Sequence, residues 1–410
     1  MRLACRSCAA PLEHVVIDLG ASPLSNRFLA SQDLDGMEPT FPLKVYVCTR
    51  CWLMQLPAAV APEEIFTDYA YFSSYSDTWL QHAERYADDM IARLALDARH
   101  KVVEIASNDG YLLQFFVRRG IRVLGIEPAA NVAAVAEAKG VRSLIRFFGT
   151  ATADEILRAG ERADLLLGNN VLAHVPDLND FIAGMARVLA PQGVITMEFP
   201  HLLRLIESNQ FDTIYHEHYS YLSFGATERA FERHGLSLFD VEELPSHGGS
   251  LRIFARHVAD QAHPVSERVP EMRRREQHAG LEEIDGYAAF ASRVEETKRG
   301  LLRFLIAARE RGQRVAAYGA PAKGNTLLNY CGIRTDFIDY TVDRSEHKQG
   351  RFLPGSRIPI FSPERLAETK PDYVLILPWN LRDEIAAQLS YVAQWGGRLV
   401  VPIPRIEVIG

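Results

Sequence analysis

The sequence has no run of about 20 apolar residues in its 410, so a membrane-spanning helix is not expected. Cations are not in surplus either. Lys and Arg number 45 against 52 Asp and Glu, a formal net charge of −7. Nucleic-acid binding rests on phosphate neutralisation by surplus cations, so this chain is a poor candidate for it and no such partner is expected. Five cysteines are too few for a disulfide framework. The start, Met1-Arg2-Leu3-Ala4-Cys5, lacks the apolar core of a signal peptide, and a cytoplasmic protein is expected. No G-x-G-x-x-G fingerprint occurs anywhere, which argues against a nicotinamide cofactor. Gly319–Thr326 is no Walker A loop, because Asn-Thr stands where Lys-Ser/Thr is needed. Hydrophobic residues at 48% and charged residues at 24% read as a globular chain, long enough for two or three domains.

Four of the cysteines form two C-x-x-C pairs, Cys5/Cys8 and Cys48/Cys51. In a reducing compartment two such pairs read as a four-thiolate structural zinc site. A redox pair is the rival, but no thioredoxin-like pattern surrounds either. The 39 residues between the pairs must leave the metal and return. A closed four-thiolate site has no open position for chemistry. Cys331 lies among apolar residues and reads as a core thiol.

Residues about 100–258 alternate strands and helices, which predicts a mostly parallel, doubly wound sheet. Strands are expected at 102–105, 123–127, 144–147, 163–170 and 193–199. Two more, 236–243 and 251–257, are joined by Pro245–Ser250. An antiparallel pair closing such a sheet is the layout of class I S-adenosylmethionine-dependent methyltransferases. Ligands of open α/β sheets sit at the carboxyl ends of the strands. Glu104, Ser107, Asn108, Asp109 and Gly110 would form the first cofactor loop. Glu127, followed by Pro128, would accept the ribose hydroxyls, and Asn169 and Asn170 would stand at the methyl end.

Tyr215, His216, Glu217, His218, Tyr219 and Tyr221 crowd into seven positions after the fifth strand, and His174 follows the fourth. H-E-x-x-H fails here. In an extended segment Glu217 would face away from His216 and His218, so a metal site is disfavoured. General-base work suits the loop, since His titrates near neutrality and Tyr can donate to an oxyanion. A loop of surface aromatics is the plain alternative. Carbon methylation needs such a base next to a carbonyl; N- or O-methylation needs little help and remains the alternative activity.

These residues, with Asp68–Ser76, His247–Arg252 and Gly319–Asn325, resemble the nucleotide-sugar C-3′-methyltransferases of deoxysugar biosynthesis, tetronitrose-pathway type, over nearly the whole chain. The resemblance implies removal of the C3 proton beside a C4 ketone and methylation of the enolate. It implies His218 as the base, with Tyr215, Glu217, His174 and Tyr69 nearby. It also implies a substrate linked to thymidine diphosphate. Tyr71, His247, Gly248, Lys323 and Asn325 are the candidate substrate contacts.

Residues 261–300 read as a charged helical connector with interleaved acids. A second α/β run follows, with strands at 315–319, 337–342, 373–377 and 399–403. The loop from Gly319 opens a helix, and Asp343 follows the second strand, like half a dinucleotide-binding domain. This module is expected to hold the sugar's diphosphate, with Lys323 facing it; a degenerate copy kept for packing is the alternative. The expected chain is therefore α/β: a zinc-binding module at 1–65, a class I methyltransferase sheet at 66–260, and a Rossmann-like domain with its connector at 261–410. Such modules are compatible with a monomer.

Overall fold

The computed structural model describes residues 3–61, 64, 73–75 and 77–409. The chain forms two compact units, each assembled from three separated segments. The first comprises Met1–Glu13, Cys48–His201 and Tyr219–Glu282; the second comprises His14–Val47, Leu202–His218 and Glu283–Gly410. The two units thus interleave along the chain. The hairpin of β1 (His14–Ser22) and β2 (Phe41–Val47) belongs to the second unit.

In the first unit, β3 (Met54–Gln55) pairs with β9 (Ser220–Tyr221). Its main sheet contains β4 (Lys101–Ile105), β5 (Arg122–Ile126), β6 (Ser143–Leu144), β7 (Ala163–Asn169), β8 (Leu189–Pro200), β10 (Leu236–Leu244) and β11 (Ser250–His257). The order is β10-β11-β8-β7-β4-β5-β6, parallel from β8 to β6, with β11 and β10 antiparallel. Every residue of β4 is buried, as a strand covered by helices on both faces requires. The core packs Tyr86, Leu112, Phe116 and Phe254 around it. Helix starts are set by short polar caps. Asp177 accepts from Asp180 N ahead of Leu178–Val188, and Ser223 from Ala226 N ahead of Phe224–Glu232. The chain moves from β4 outward to β6, then returns to β7 on the other side. That reversal opens a crevice at the carboxyl ends of β4 and β7.

In the second unit, β12 (Val315–Tyr318), β13 (Thr341–Val342), β14 (Ile360–Phe361), β15 (Tyr373–Ile376), β16 (Arg398–Val401) and β17 (Glu407–Ile409) form a sheet. Its order is β14-β13-β12-β15-β16-β17, parallel except for β17. The strand expected at 337–342 shrinks to Thr341–Val342, because Phe337 and Ile338 both donate backbone bonds to Arg334 O in a turn. The fifth strand of the first run lengthens to Leu189–Pro200. The connector is two helices, Arg268–His278 and Asp285–Glu310, and the unit boundary falls between them. Among the described residues no helix is long and apolar enough to cross a membrane.

Candidate active site and metal centre

The four paired cysteines converge. Their sulfurs all lie within 4.8 Å of one another, with Cys5–Cys51 and Cys8–Cys48 both at 3.5 Å. A tetrahedral ion with bonds of about 2.3 Å spaces thiolates by roughly 3.8 Å, so the donor set fits zinc. The two knuckles repeat one geometry. Ala9 and Trp52, each just after the second cysteine, take φ of 58° and 60°, and each N–H bonds back to the carbonyl of the first cysteine. All four ligands belong to the first unit. The long gap between the pairs is explained by the β1–β2 hairpin, which belongs to the second.

The crevice of the first unit carries the expected cofactor residues. Ala106, Asn108 and Gly110 all have positive φ, so the loop after β4 is coiled tightly. A Cβ on Gly110 would come within 3.1 Å of Val141 Cγ2 and 3.2 Å of Ala136. Ser107 sits under Gly125, where a Cβ would meet its hydroxyl at 2.4 Å. Glu104 lies in β4, within the strand expected at 102–105 and ahead of the loop. It is fully buried, and neither carboxyl oxygen has a donor at hydrogen-bonding geometry. Burial pushes its carboxyl well above the usual range, opposed by the Tyr111 hydroxyl. An orphaned buried acid fits a ligand that brings donors, such as the ammonium of the cofactor's methionine part. Glu127 accepts from Asn108 N at 2.9 Å and Ala129 N at 3.0 Å, one bond per oxygen. Each oxygen keeps a lone pair for a ribose hydroxyl. Burial raises this carboxyl as well. Pro128 follows it, half-buried. Asn169 Nδ2 donates to the Tyr111 hydroxyl at 3.3 Å, and Asn170 takes φ of 55° with its N–H on Glu198 O.

Sequence reasoning missed a buried network beside this crevice. Glu198, near the end of β8, accepts from Arg252 at 2.9 Å and Ser246 at 2.7 Å and pairs with His82 at 2.9 Å. Burial alone would raise its carboxyl, but His82, Arg252 and Ser246 together hold it at about 2. Ser246 ties down the turn that carries His247 and Gly248, both at positive φ, and the His247 ring stands edge-on to Trp79 at 5.2 Å. The partners of Glu198 are 48 to 116 residues away, so no local spacing could reveal them. His174 ends the short turn after β7, also in the first unit.

The His-rich loop up to His218 belongs to the second unit. It is a turn and not an extended segment: His218 N donates to Tyr215 O at 2.9 Å. The rings of Tyr215 and His218 lie 4.0 Å apart. Their neighbours diverge. His216 pairs with Phe41 O at 3.2 Å, and Glu217 accepts from Asn26 at 2.7 Å. Burial pushes the Glu217 carboxyl up to about 7, against the Asn26 amide. His218 Nδ1 lies 2.7 Å from Thr213 O. A carbonyl can only accept, so Nδ1 carries a proton, and in the neutral ring Nε2 is the acceptor nitrogen. Among the described residues only the four cysteines form a metal-ligating cluster.

Lys323 and Asn325 lie in this unit too, but both are engaged internally. Lys323 donates to Asn380 Oδ1 at 2.8 Å, and the buried Asn325 to Ser25 O at 2.6 Å. Tyr69 and Tyr71 lie outside the described residues.

Three family profiles cover most of the chain: "Putative zinc binding domain" over 5–66, "Methyltransferase domain" over 79–241 and "C-methyltransferase C-terminal domain" over 245–404. C-methyltransferase NovU of Streptomyces niveus is 40% identical over 99% of this chain and 96% of its own. Ubiquinone biosynthesis O-methyltransferase of Bartonella bacilliformis is 32% identical, over only 25% of this chain and 42% of its own. Among solved structures, an S-adenosylmethionine-dependent methyltransferase from Clostridium acetobutylicum covers 43% of this chain and 92% of its own at 11% identity, with a TM-score of 0.36.

Proposed function

The chain belongs to the C-methyltransferase family that includes NovU, and from that premise we propose that it methylates C3′ of a dTDP-linked 4-keto-deoxysugar, with His218 as the base. It is an S-adenosylmethionine-dependent methyltransferase with a zinc-binding module. When bound, the cofactor supplies an electrophilic methyl group. Glu104, Ser107, Asn108, Asp109, Gly110, Glu127, Pro128, Asn169 and Asn170 are the residues that would hold it.

One observation carries the reading of the base. The Thr213 carbonyl faces Nδ1 of His218, which supports a neutral ring with its proton there and Nε2 as the acceptor. His218 Nε2 takes the C3′ proton, and the electron pair moves towards the C4′ oxygen. Tyr215, ring to ring with His218, donates its hydroxyl proton towards that oxygen. The carbon nucleophile so formed would take the methyl as its bond to the cofactor's sulfonium sulfur breaks, leaving the thioether; the C4′ carbonyl re-forms, Tyr215 keeps its proton and the His218 proton passes to solvent. Glu217 stands next in the chain as a buried acid whose carboxyl titrates near neutrality.

Turnover with S-adenosylmethionine and a small panel of dTDP-4-keto-6-deoxysugars, read by proton NMR, tests the reaction. A methyl singlet on C3′ with the C3′ proton gone is expected. A methyl on nitrogen or oxygen would overturn the carbon chemistry. His218→Asn should nearly abolish transfer with cofactor affinity unchanged. An equal loss of cofactor binding would make His218 a structural residue.

A further inference from the structure

We infer that Asp212, Trp379 and Lys323 form a buried clamp that positions His218 as an acceptor at Nε2; this rests on the reading of His218 as the base. All four residues belong to the second unit. The carbonyl that holds His218 Nδ1 belongs to Thr213, the last residue of the tight turn Phe211–Thr213. That turn is pinned from two elements. Trp379 Nε1 donates to Asp212 Oδ2 at 2.7 Å, and the Thr326 hydroxyl donates to Ile214 O at 3.0 Å. Asp212 is fully buried.

A buried carboxylate needs a counter-charge. The cation acting on Asp212 is Lys323, at the start of the helix Ala322–Cys331. Its ammonium sits 4.7 Å above the Trp379 ring and donates to Asn380. The indole thus serves both charges, with its N–H on the anion and its π face on the cation. Burial raises the Asp212 carboxyl to about 6, opposed first by Lys323 and then by Trp379 and the turn's own N–H groups. Burial likewise lowers Lys323, and Asp212 opposes it. Lys323 donates to Asn380 within this cluster, which gives it a positioning role. If the clamp loosens, the Thr213 carbonyl no longer fixes the imidazole, and the proton can move to Nε2.

The test uses the full chain labelled with 15N-histidine. Trp379→Phe deletes the N–H and keeps an aromatic face, though a smaller one. It should shift the His218 nitrogen resonances from the Nδ1-protonated tautomer towards a mixture. It should also lower kcat about tenfold to a hundredfold, with KM for sugar and cofactor within twofold. Asp212→Asn should do the same if it folds. Unchanged tautomer resonances would overturn the clamp, whatever happens to the rate; so would an unchanged kcat. Retention of turnover by His218→Asn would instead sink the reading of the base, and the tautomer measurement separates the two failures.

Discussion

Gly110 and Gly120 offer a controlled comparison, because both adopt φ of +73° within the same unit. Alanine at a left-handed position costs about 1–2 kcal/mol from backbone sterics alone. At Gly120 nothing lies within 4 Å of the new Cβ, so Gly120→Ala should cost only that much. At Gly110 the Cβ meets Val141 Cγ2 at 3.1 Å and the Cα and Cβ of Ala136 at 3.2 Å. The Ala136 atoms sit in the helix Ala130–Ala138 and cannot swing aside. Overpacking of that kind adds about 1–3 kcal/mol, for a total of roughly 2–5 kcal/mol. Urea denaturation followed by fluorescence should show the Gly110→Ala midpoint well below that of Gly120→Ala. Relief of the clash by backbone movement would also displace the loop from Glu104 and Glu127. Calorimetric titration with S-adenosylmethionine should then show at least a tenfold loss of affinity, about 1.4 kcal/mol, for Gly110→Ala and none for Gly120→Ala. Equal destabilisation by the two variants, or intact affinity in Gly110→Ala, would refute the reasoning.

Glu217 makes stability depend on pH. Its carboxyl is raised by burial from 4.5 to about 7 in the folded protein, so the folded form binds the proton more tightly than the unfolded chain does. Stability should therefore fall as pH rises from about 4.5 to about 7, by about 3 kcal/mol from this group. Glu217→Gln keeps an acceptor for Asn26 and should remove that slope. Melting temperatures from pH 5 to 8 would check this, and parallel curves for the two proteins would contradict it. Cys48→Ser should reduce bound zinc from one per chain to a small fraction, measured by elemental analysis after desalting. Unchanged stoichiometry would sink the four-thiolate site.

The sequence by itself determined the elements and the local chemistry. The alternation of apolar strands and helices from Val102 to His257 specifies the doubly wound sheet, because period and length are local properties. The C-x-x-C spacing specifies the zinc knuckles for the same reason: each is a turn closed within five residues. Glu104 and Glu127, at or just after the ends of the first two strands, were legible as candidate cofactor contacts because topology places strand ends at the crevice. What only the tertiary structure decided depends on partners far away in the chain. The division into interleaved units, with the His-rich loop and the β1–β2 hairpin in one and the four cysteines in the other, follows from packing and has no local signature. Lys323 read as a cation on a glycine loop, facing the sugar's diphosphate. Its ammonium is held by Asn380, 57 residues on, over the ring of Trp379. The tautomer of His218 was likewise invisible, since it depends on which backbone atom faces Nδ1. That atom is the carbonyl of Thr213, five residues back, brought there because the segment turns where its sequence read as extended.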